Sequence, residues 1–287
     1  MGLYKKDLRD IRQLKEAEIV IGLVGKIKEE QPKISVRKMQ GLLQDDLDKH
    51  GIKMGRDALL DLLREFNMLT KRKRYKHYST DSTHSFRKYP NQIKDLKPAA
   101  PNRIWVSDIT YIEANKGFNY LSLITDAYSR KIVGYYLSDS YSVKGTIIAL
   151  QRALKDNKVE GGLIHHSDRG VQYCSKEYTS ILKKKKAVIS MTESGSPYEN
   201  AMAERVNGIL KTELLKPKYK DWQEAAAAVN KAIYIYNNKR PHLSIEMMTP
   251  EKAHLQKGEL KMLWKKKDYD RKKRQSLALL VEPSLPL

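Results

Sequence analysis

From residue 103 onward, the order of short apolar runs and amphipathic segments constrains the fold more than any other feature. Three runs rich in β-branched and aromatic residues follow one another closely: RIWVSDITYIEA, FNYLSLITDAYS and KIVGYYLSD. They predict three strands, with a tight turn at Asn115-Lys116-Gly117 between the first two. VKGTIIALQRALKDN and SKEYTSILKKKK then predict helices, and GLIHHSD and AVISMTE predict strands. With the helix that follows, the order β-β-β-α-β-α-β-α predicts an α/β fold, a mixed five-stranded sheet flanked by helices.

That following helix is predicted over 196–215, SPYENAMAERVNGILKTELL. Ser196 is typical of an N-cap, Pro197 of the first helical position, and Glu199 of the acidic partner in a capping box. At about 100° per residue, one quadrant of the helix carries polar residues: Asn200, Glu204, Asn207 and Lys211. The opposite side is apolar and is predicted to face the core: Met202, Val206, Ile209 and Leu210. Taken alone, the pattern fits a surface helix with ordinary charges equally well.

Two aspartates shift the interpretation of this helix. Asp108 and Asp168 each follow a short apolar run, so each is predicted to lie on or just after a strand. Three carboxylates brought together with Glu204 would hold hard divalent cations such as Mg²⁺ through oxygen ligands. Two such ions, about 3.5–4 Å apart, can flank a phosphate and stabilise both the attacking and the leaving oxygen. Lys211 beside them could hold a phosphate as a point charge.

Other residues near these acids compete for the same roles. Glu199 and Glu193 are alternatives to Glu204, although Glu199 already has a capping role. His165 and His166 flank Asp168, and a packed core histidine is the commoner outcome than a metal ligand. Trp105 and Tyr111 are predicted to be core residues rather than base-stacking platforms. Asn200 and Asn207 could orient a ligand carboxylate or contact DNA.

The charge of the chain points to a polyanionic partner. The 287 residues carry 55 basic and 34 acidic side chains, a net charge of +21, and nucleic acid is the usual partner of such an excess. A membrane partner is not expected, because no apolar run reaches the ~18 residues of a spanning helix. The single cysteine excludes an internal disulfide and a cysteine-based zinc site, so a cytoplasmic location is expected.

The N-terminal third is predicted to be helical. Residues 1–30 predict one helix, with apolar positions Leu8, Ile11, Leu14, Ile19 and Leu23. Residues 31–75 predict two short helices joined at HGIKMG, a helix-turn-helix DNA-binding region, although a plain helical hairpin fits the pattern as well. Three arginines of this region could contact DNA: Arg56, Arg72 and Arg74. Residues 76–102 are predicted to be a linker between this region and a unit over 103–215.

The C-terminal region, 216–287, predicts one more helix, DWQEAAAAVNKAIYIYNNKRPH, followed by a basic tail. Arg240 and His242 follow the end of that helix and could contact DNA.

Together, these motifs resemble a known family. WVSDITYI, HHSDRGVQYCS, SGSPYENAMAE and YNNKRPHLSIEMMTP, with 35 residues between Asp168 and Glu204, resemble a retroviral-integrase-like DDE transposase. The resemblance is to the second reading-frame product of bacterial insertion sequences of the IS-3 type, and it runs from about Val36 to His254. It implies an RNase-H-like core in which Asp108, Asp168 and Glu204 form a metal-binding catalytic triad and Lys211 contacts DNA. It also implies two ions, Mg²⁺ or Mn²⁺.

The family cuts double-stranded DNA at element ends to expose a 3′-hydroxyl, which it then uses in strand transfer to target DNA. The resemblance implies a homo-oligomer on DNA and an upstream first-frame partner that supplies another helix-turn-helix and a leucine zipper. This chain is expected to lack both. A non-catalytic DNA-binding or regulatory subunit therefore remains an alternative, and a structure-specific RNase-H-like nuclease is a weaker one.

Overall fold

We describe a computed structural model of the chain, which covers residues 2–70, 85–94, 96–159, 161–193 and 197–263. It begins with three helices: α1 (Gly2–Glu30), α2 (Val36–Lys49) and α3 (Arg56–Glu65). They pack around a shared core, which includes Val20, Val24, Met39, Leu43, Leu47, Leu59 and Leu63. The predicted single helix over 1–30 is therefore present, and a short turn at 50–55 joins the next two.

The apolar positions of α1 noted in the sequence are not the positions that the structure buries. Leu14 is 71% exposed and Ile19 is 36% exposed, whereas Val20 and Val24 are fully buried. The predicted positions Leu8 and Ile11 lie where no side chain is described. Val20 and Val24, in the C-terminal half of α1, pack against α2 and α3, and the burial of an apolar position depends on whether it faces this core. The helical period of the sequence alone does not reveal which neighbours a long helix has.

The central sheet confirms the predicted fold class. Its five main strands have the order β3-β2-β1-β4-β5: β1 (Ile104–Ala114), β2 (Gly117–Asp126), β3 (Ile132–Ser138), β4 (Ile164–Ser167) and β5 (Val188–Met191). The first three are antiparallel, and β4 and β5 run parallel to β1, which makes the sheet mixed. The predicted turn joins β1 to β2 and ends at Gly117, whose φ of +119° suits glycine. A sixth strand of two residues, β6 (Lys218–Tyr219), pairs with β1 and was too short to predict.

Helices cover both faces of this sheet. The remaining helices are α4 (Val143–Asp156), α5 (Val171–Cys174), α6 (Lys176–Lys184), α7 (Ala201–Ile209), α8 (Trp222–Asn238) and α9 (Pro250–His254). On one face, α4 and α6 bury Trp105, Leu150 and Leu182. On the other, α7 and α8 bury Leu121, Val206 and Tyr236. Among the described residues, no helix combines the length and the apolarity needed to cross a membrane.

Candidate active site

Two of the three predicted carboxylates are brought together by the pairing of β1 and β4. The strands are parallel, and Val106 is opposite His166. Asp108 and Asp168 each lie two residues further along, so they reach the same level at the same edge of the sheet. Asp168 follows the last residue of β4, as predicted, and its Oδ1 accepts a hydrogen bond of 3.0 Å from the Gly170 N–H. The parallel register, which the sequence did not specify, therefore decides that these two acids are neighbours.

The predicted helix over 196–215 crosses this edge of the sheet. It consists of a 3₁₀ turn at Pro197–Asn200, then α7, then a π-helical turn at Leu210–Leu214. The π turn is closed by the Leu215 N–H, which donates to Leu210 O at 2.8 Å. A π turn places one extra residue in the helix and often marks a functional segment. Ser196, the predicted N-cap, lies outside the described residues.

Two buried asparagines fix this helix to β1. Asn200 Nδ2 donates to Ser107 O at 3.0 Å, and Asn207 Nδ2 donates to Asp108 Oδ2 at 2.6 Å. Glu204 lies between them on the same helical face, one turn from each. The contact of Asn207 orients a carboxylate, which is one of the two roles that the sequence suggested for this residue. The helix is thereby held with Glu204 directed towards the edge that carries the two aspartates.

The charges of these groups act on one another. Burial and the neighbouring Asp168 carboxylate raise the pKa of Asp108 to about 8. The Ile109 N–H opposes this shift, Glu204 adds to it, and the Lys211 ammonium opposes it. Burial also lowers the pKa of Lys211, against the attraction of Asp108. The structure therefore assembles Asp108, Asp168, Glu204 and Lys211 into one electrostatic cluster in which the negative charge is in excess.

The donors of this cluster suit a hard divalent cation, because they are anionic oxygens that leave room for water and phosphate. Within the described ranges, no three His, Cys, Asp or Glu side chains lie close enough together to chelate an ion. The three carboxylates are thus near enough to repel one another without yet surrounding a common point. A cation between them would offset the repulsion that raises the pKa of Asp108.

The alternative ligands have other partners. The Glu199 carboxylate accepts a hydrogen bond from the Glu193 N–H, which fixes it one turn before Glu204. His165 is buried within hydrogen-bond distance of Ser107 Oγ (2.7 Å) and Tyr178 OH (2.9 Å), and burial lowers its pKa to about 3. His166 is buried beside Ser190 Oγ at 2.8 Å. Both histidines and the fully buried Trp105 are therefore core residues, as predicted.

The predicted DNA contacts at Arg240 and His242 need correction. Arg240 is only 1% exposed, and its guanidinium donates two hydrogen bonds of 2.8 Å to Glu213. His242 is buried beside it, 3.0 Å from Arg240 Nη1. Lys38 of α2 completes the group at 3.8 Å from Glu213. We call Lys38, Glu213, Arg240 and His242 the buried ion cluster. It packs these side chains inside the protein, where they cannot meet a DNA surface.

Sequence reasoning missed this cluster, because nothing in the local pattern pairs Glu213 with residues 27 positions later and on α2. Arg56, in contrast, is exposed at the start of α3 and pairs with its neighbour Asp57 at 2.7 Å. Its role in DNA binding stays a prediction. Arg72 and Arg74 lie outside the described residues.

Comparison with known proteins gives the same family as the sequence motifs. Two family models, both described as "Integrase core domain", match residues 98–197 and 185–250. A 31 kDa protein of insertion element IS600 from Shigella sonnei is 36% identical over 219 residues, 74% of this chain and 80% of that protein. The transposase of insertion sequence element IS904 from Lactococcus lactis subsp. lactis is 37% identical over 183 residues, 63% of this chain and 72% of that protein.

Among solved structures, the catalytic core domain of HTLV-2 integrase in complex with magnesium matches with a TM-score of 0.43 and 21% sequence identity. The match covers 55% of this chain and 99% of that domain.

Proposed function

Because this chain belongs to the IS-3-type insertion-sequence transposases with an integrase core, enzymes that cleave and join DNA, we propose that Asp108, Asp168 and Glu204 are its catalytic carboxylates. The observation that carries this proposal is geometric: the parallel pairing of β1 and β4 brings Asp108 and Asp168 to one edge of the sheet, and the hydrogen bond from Asn207 to Asp108 holds the helix of Glu204 at that edge. Burial, Asp168 and Glu204 also raise the pKa of Asp108. Strongly shifted acids in a shared cleft are typical of functional sites, because structural acids are normally paired with cations. The charges that raise the pKa of Asp108 are the two other carboxylates, those of Asp168 and Glu204.

The three carboxylates would hold Mg²⁺ or Mn²⁺, two ions in our proposal. Such ions, when bound, activate the attacking oxygen and stabilise the leaving oxygen of a phosphodiester. The chain's own groups prepare the site. Asn207 fixes the direction of the Asp108 carboxylate through its 2.6 Å hydrogen bond. Lys211, on the same helix and within electrostatic reach of Asp108, would hold a DNA phosphate.

The three-helix N-terminal region would bind double-stranded DNA as a helix-turn-helix. Its α2 and α3 are short, joined at a turn, and packed on a common core with α1. Arg56 would meet a phosphate or a base edge at the start of α3, where it is exposed. We extend the proposal to a homo-oligomer on DNA, with the division into units at 31–75, 103–215 and 216–287. The excess of 55 basic over 34 acidic residues supports contact with a long stretch of DNA.

The catalytic assignment is tested by strand transfer of a 3′-hydroxyl oligonucleotide carrying the end of the element, with Mg²⁺. Asp168→Asn and Glu204→Gln should each abolish product, whereas Glu113→Gln should not. Glu113 is a matched control, because it lies on the same strand as Asp108 but is exposed and pairs with Lys218 at 3.7 Å. Unchanged product with Asp168→Asn or Glu204→Gln would show that the assignment is wrong. DNA binding with a steep salt dependence but no cleavage by the unaltered chain would favour the non-catalytic subunit instead.

A further inference from the structure

Four aromatic rings form a continuous surface at the tip of the β1–β2 hairpin. They belong to Tyr111, Phe118, Tyr120 and Tyr141, and we call them the aromatic patch. Tyr111 and Tyr120 are directly paired across the two strands, with ring centroids 5.4 Å apart. Phe118 packs edge-on against Tyr111 at 6.0 Å. Tyr141, which precedes α4, lies against Tyr111 at 6.1 Å with an interplanar angle of 29°, and against Tyr120 at 5.1 Å.

The patch is not part of the hydrophobic core. In the described parts of the chain, none of the four rings belongs to a core cluster. Phe118 is 49% exposed and Tyr141 is 42% exposed, and the other two rings are half-buried. Helix α4 begins only at Val143, after Tyr141, so α4 itself does not reach over this part of the hairpin. Contiguous exposed aromatic surface is costly in water and commonly marks a binding site.

The patch borders the proposed catalytic carboxylates. Tyr141 is the ring of the patch that lies nearest to them, because Tyr141 O accepts a hydrogen bond of 3.3 Å from Gln172, on the short helix that follows Asp168. Burial raises the pKa of Tyr141, and the nearby charges of Asp168 and Asp108 contribute. Tyr111 lies on the opposite face of β1 from Asp108, and Phe118 lies further along the hairpin against Tyr111. A nucleotide next to a phosphate held at these carboxylates would therefore reach Tyr141 first, at the edge of the sheet, and the rest of the patch would continue from that ring.

We propose that the aromatic patch binds an unpaired nucleobase of the DNA next to the reacting phosphate, by stacking on Tyr141 and Phe118. This inference rests on the proposed catalytic site and adds a binding site to it. A base suits the patch better than an aliphatic group, because every base offers a flat π surface to a flat ring. The net charge of +21 favours nucleic acid over other flat ligands. Stacking requires that the base leave its pair, so the site would select frayed or distorted ends.

The test compares binding of two single strands of about 12 nucleotides, a usual site size, by fluorescence anisotropy at one salt concentration. One strand is oligo-dT, and the other has abasic sites in place of the bases. The unaltered chain should bind oligo-dT at least about 10-fold more tightly than the abasic strand, as stacking of one or two bases predicts. Phe118→Ala combined with Tyr141→Ala should remove this preference. Tyr141→Phe, which keeps the ring, should retain it.

The matched control is Tyr234→Ala, because Tyr234 is 58% exposed on α8, outside the patch. It should keep the preference for bases. An unaltered chain with no preference for bases, or a double variant that keeps the preference, would overturn the proposal. So would a double variant that dissociates an oligomer in sedimentation velocity with the preference intact, since the patch would then be an interface between copies.

A second measurement does not depend on the folding of a variant. An oligo-dT strand with 5-iododeoxyuridine at its 3′ end is photocrosslinked to the unaltered chain, and the peptides are identified by mass spectrometry. Crosslinks should fall on the peptides that contain Phe118 or Tyr141, and crosslinks only elsewhere would contradict the proposal. Neither measurement needs catalysis, so Asp168→Asn should pass both. An unaltered chain that performs strand transfer but shows no preference for bases would reject the patch alone. Base preference in the unaltered chain together with unchanged strand transfer by Asp168→Asn would reject the catalytic assignment alone.

Discussion

The helical segment 197–214 contributes an acid to each of two groups of charged side chains. The two groups differ in their balance of negative and positive charge. Around Glu204, three carboxylates lie near one lysine. Burial and repulsion from the other two carboxylates together raise the pKa of Asp108 to about 8. Around Glu213, one carboxylate meets Arg240 and Lys38. Burial alone raises the pKa of Glu213, but the hydrogen bonds and charge of Arg240, with Lys38, lower it below its usual value.

We interpret the group around Glu204 as a ligand-binding site and the group around Glu213 as an ion cluster that stabilises the fold. Glu213 has its cations within the chain, and removal of its bidentate partner Arg240 would leave a buried charge uncompensated. At Asp108, burial and the carboxylates of Asp168 and Glu204 outweigh the Lys211 ammonium and disfavour the ionised form, which the proposed cations would stabilise. The same segment therefore joins α2, through Lys38, to the proposed catalytic edge, through Asn207.

The largest expected effect is the loss of strand transfer when Asp108, in the group around Glu204, is replaced. Asp108→Asn should lower strand transfer by about 10³-fold or more, because one of the three carboxylates that would hold the proposed ions loses its charge. It should leave the free energy of unfolding unchanged or higher, since the repulsion disappears. Single-turnover assays and urea denaturation measure the two effects. If Asp108→Asn is inactive because it is unfolded, the group around Glu204 stabilises the fold as the group around Glu213 does, and the prediction is wrong.

The second effect is on stability, at the buried ion cluster. Arg240→Met should lower the free energy of unfolding by about 3 kcal/mol, because Glu213 is left without its bidentate partner. Urea denaturation measures this loss, and Arg56→Met is the control, since Arg56 is exposed and contacts only Asp57 in the described region. Equal effects of the two substitutions would show that the cluster contributes nothing special.

The third prediction concerns pH and divalent ions. The folded chain holds a proton on Asp108 between pH 4 and about 8, where the unfolded chain has lost it. Folding stability should therefore fall as pH rises through this window. Mg²⁺ should reduce the fall by binding the ionised form. Thermal unfolding of the unaltered chain and of Asp108→Asn across this range measures both effects, and identical curves for the two proteins would contradict the assignment.

The smallest effect is expected at Lys38. Burial, followed by the charge of Arg240, lowers its pKa to about 8, and Glu213 opposes the shift. Between pH 8 and 10.5 the unfolded chain binds more protons than the folded chain, so this residue makes stability rise with pH. Lys38→Met should remove this rise and change the free energy of unfolding near pH 7 by less than about 1 kcal/mol. A large loss would mean that Lys38, and not only Arg240, neutralises Glu213.

Sequence alone determined the order of the elements and selected the three acids of the proposed site. The strands around Asp108 and Asp168 and the helix that carries Glu204 follow from local apolar periodicity, and the β1–β2 turn follows from Asn115-Lys116-Gly117. These signals are local, because they depend on backbone preferences within a few residues. The motifs also indicated the family, which the family models and relatives show.

Only the tertiary structure decided what each charged residue meets. Arg240 looked like a DNA contact but is buried on Glu213, and Asn207 had two possible roles until its amide was found on Asp108. Neighbours distant in sequence likewise determine that Leu14 is exposed and Val20 buried on α1, and that the aromatic patch is exposed. Periodicity tells which side of an element is apolar, but burial and pKa depend on the charges and side chains that packing brings from elsewhere.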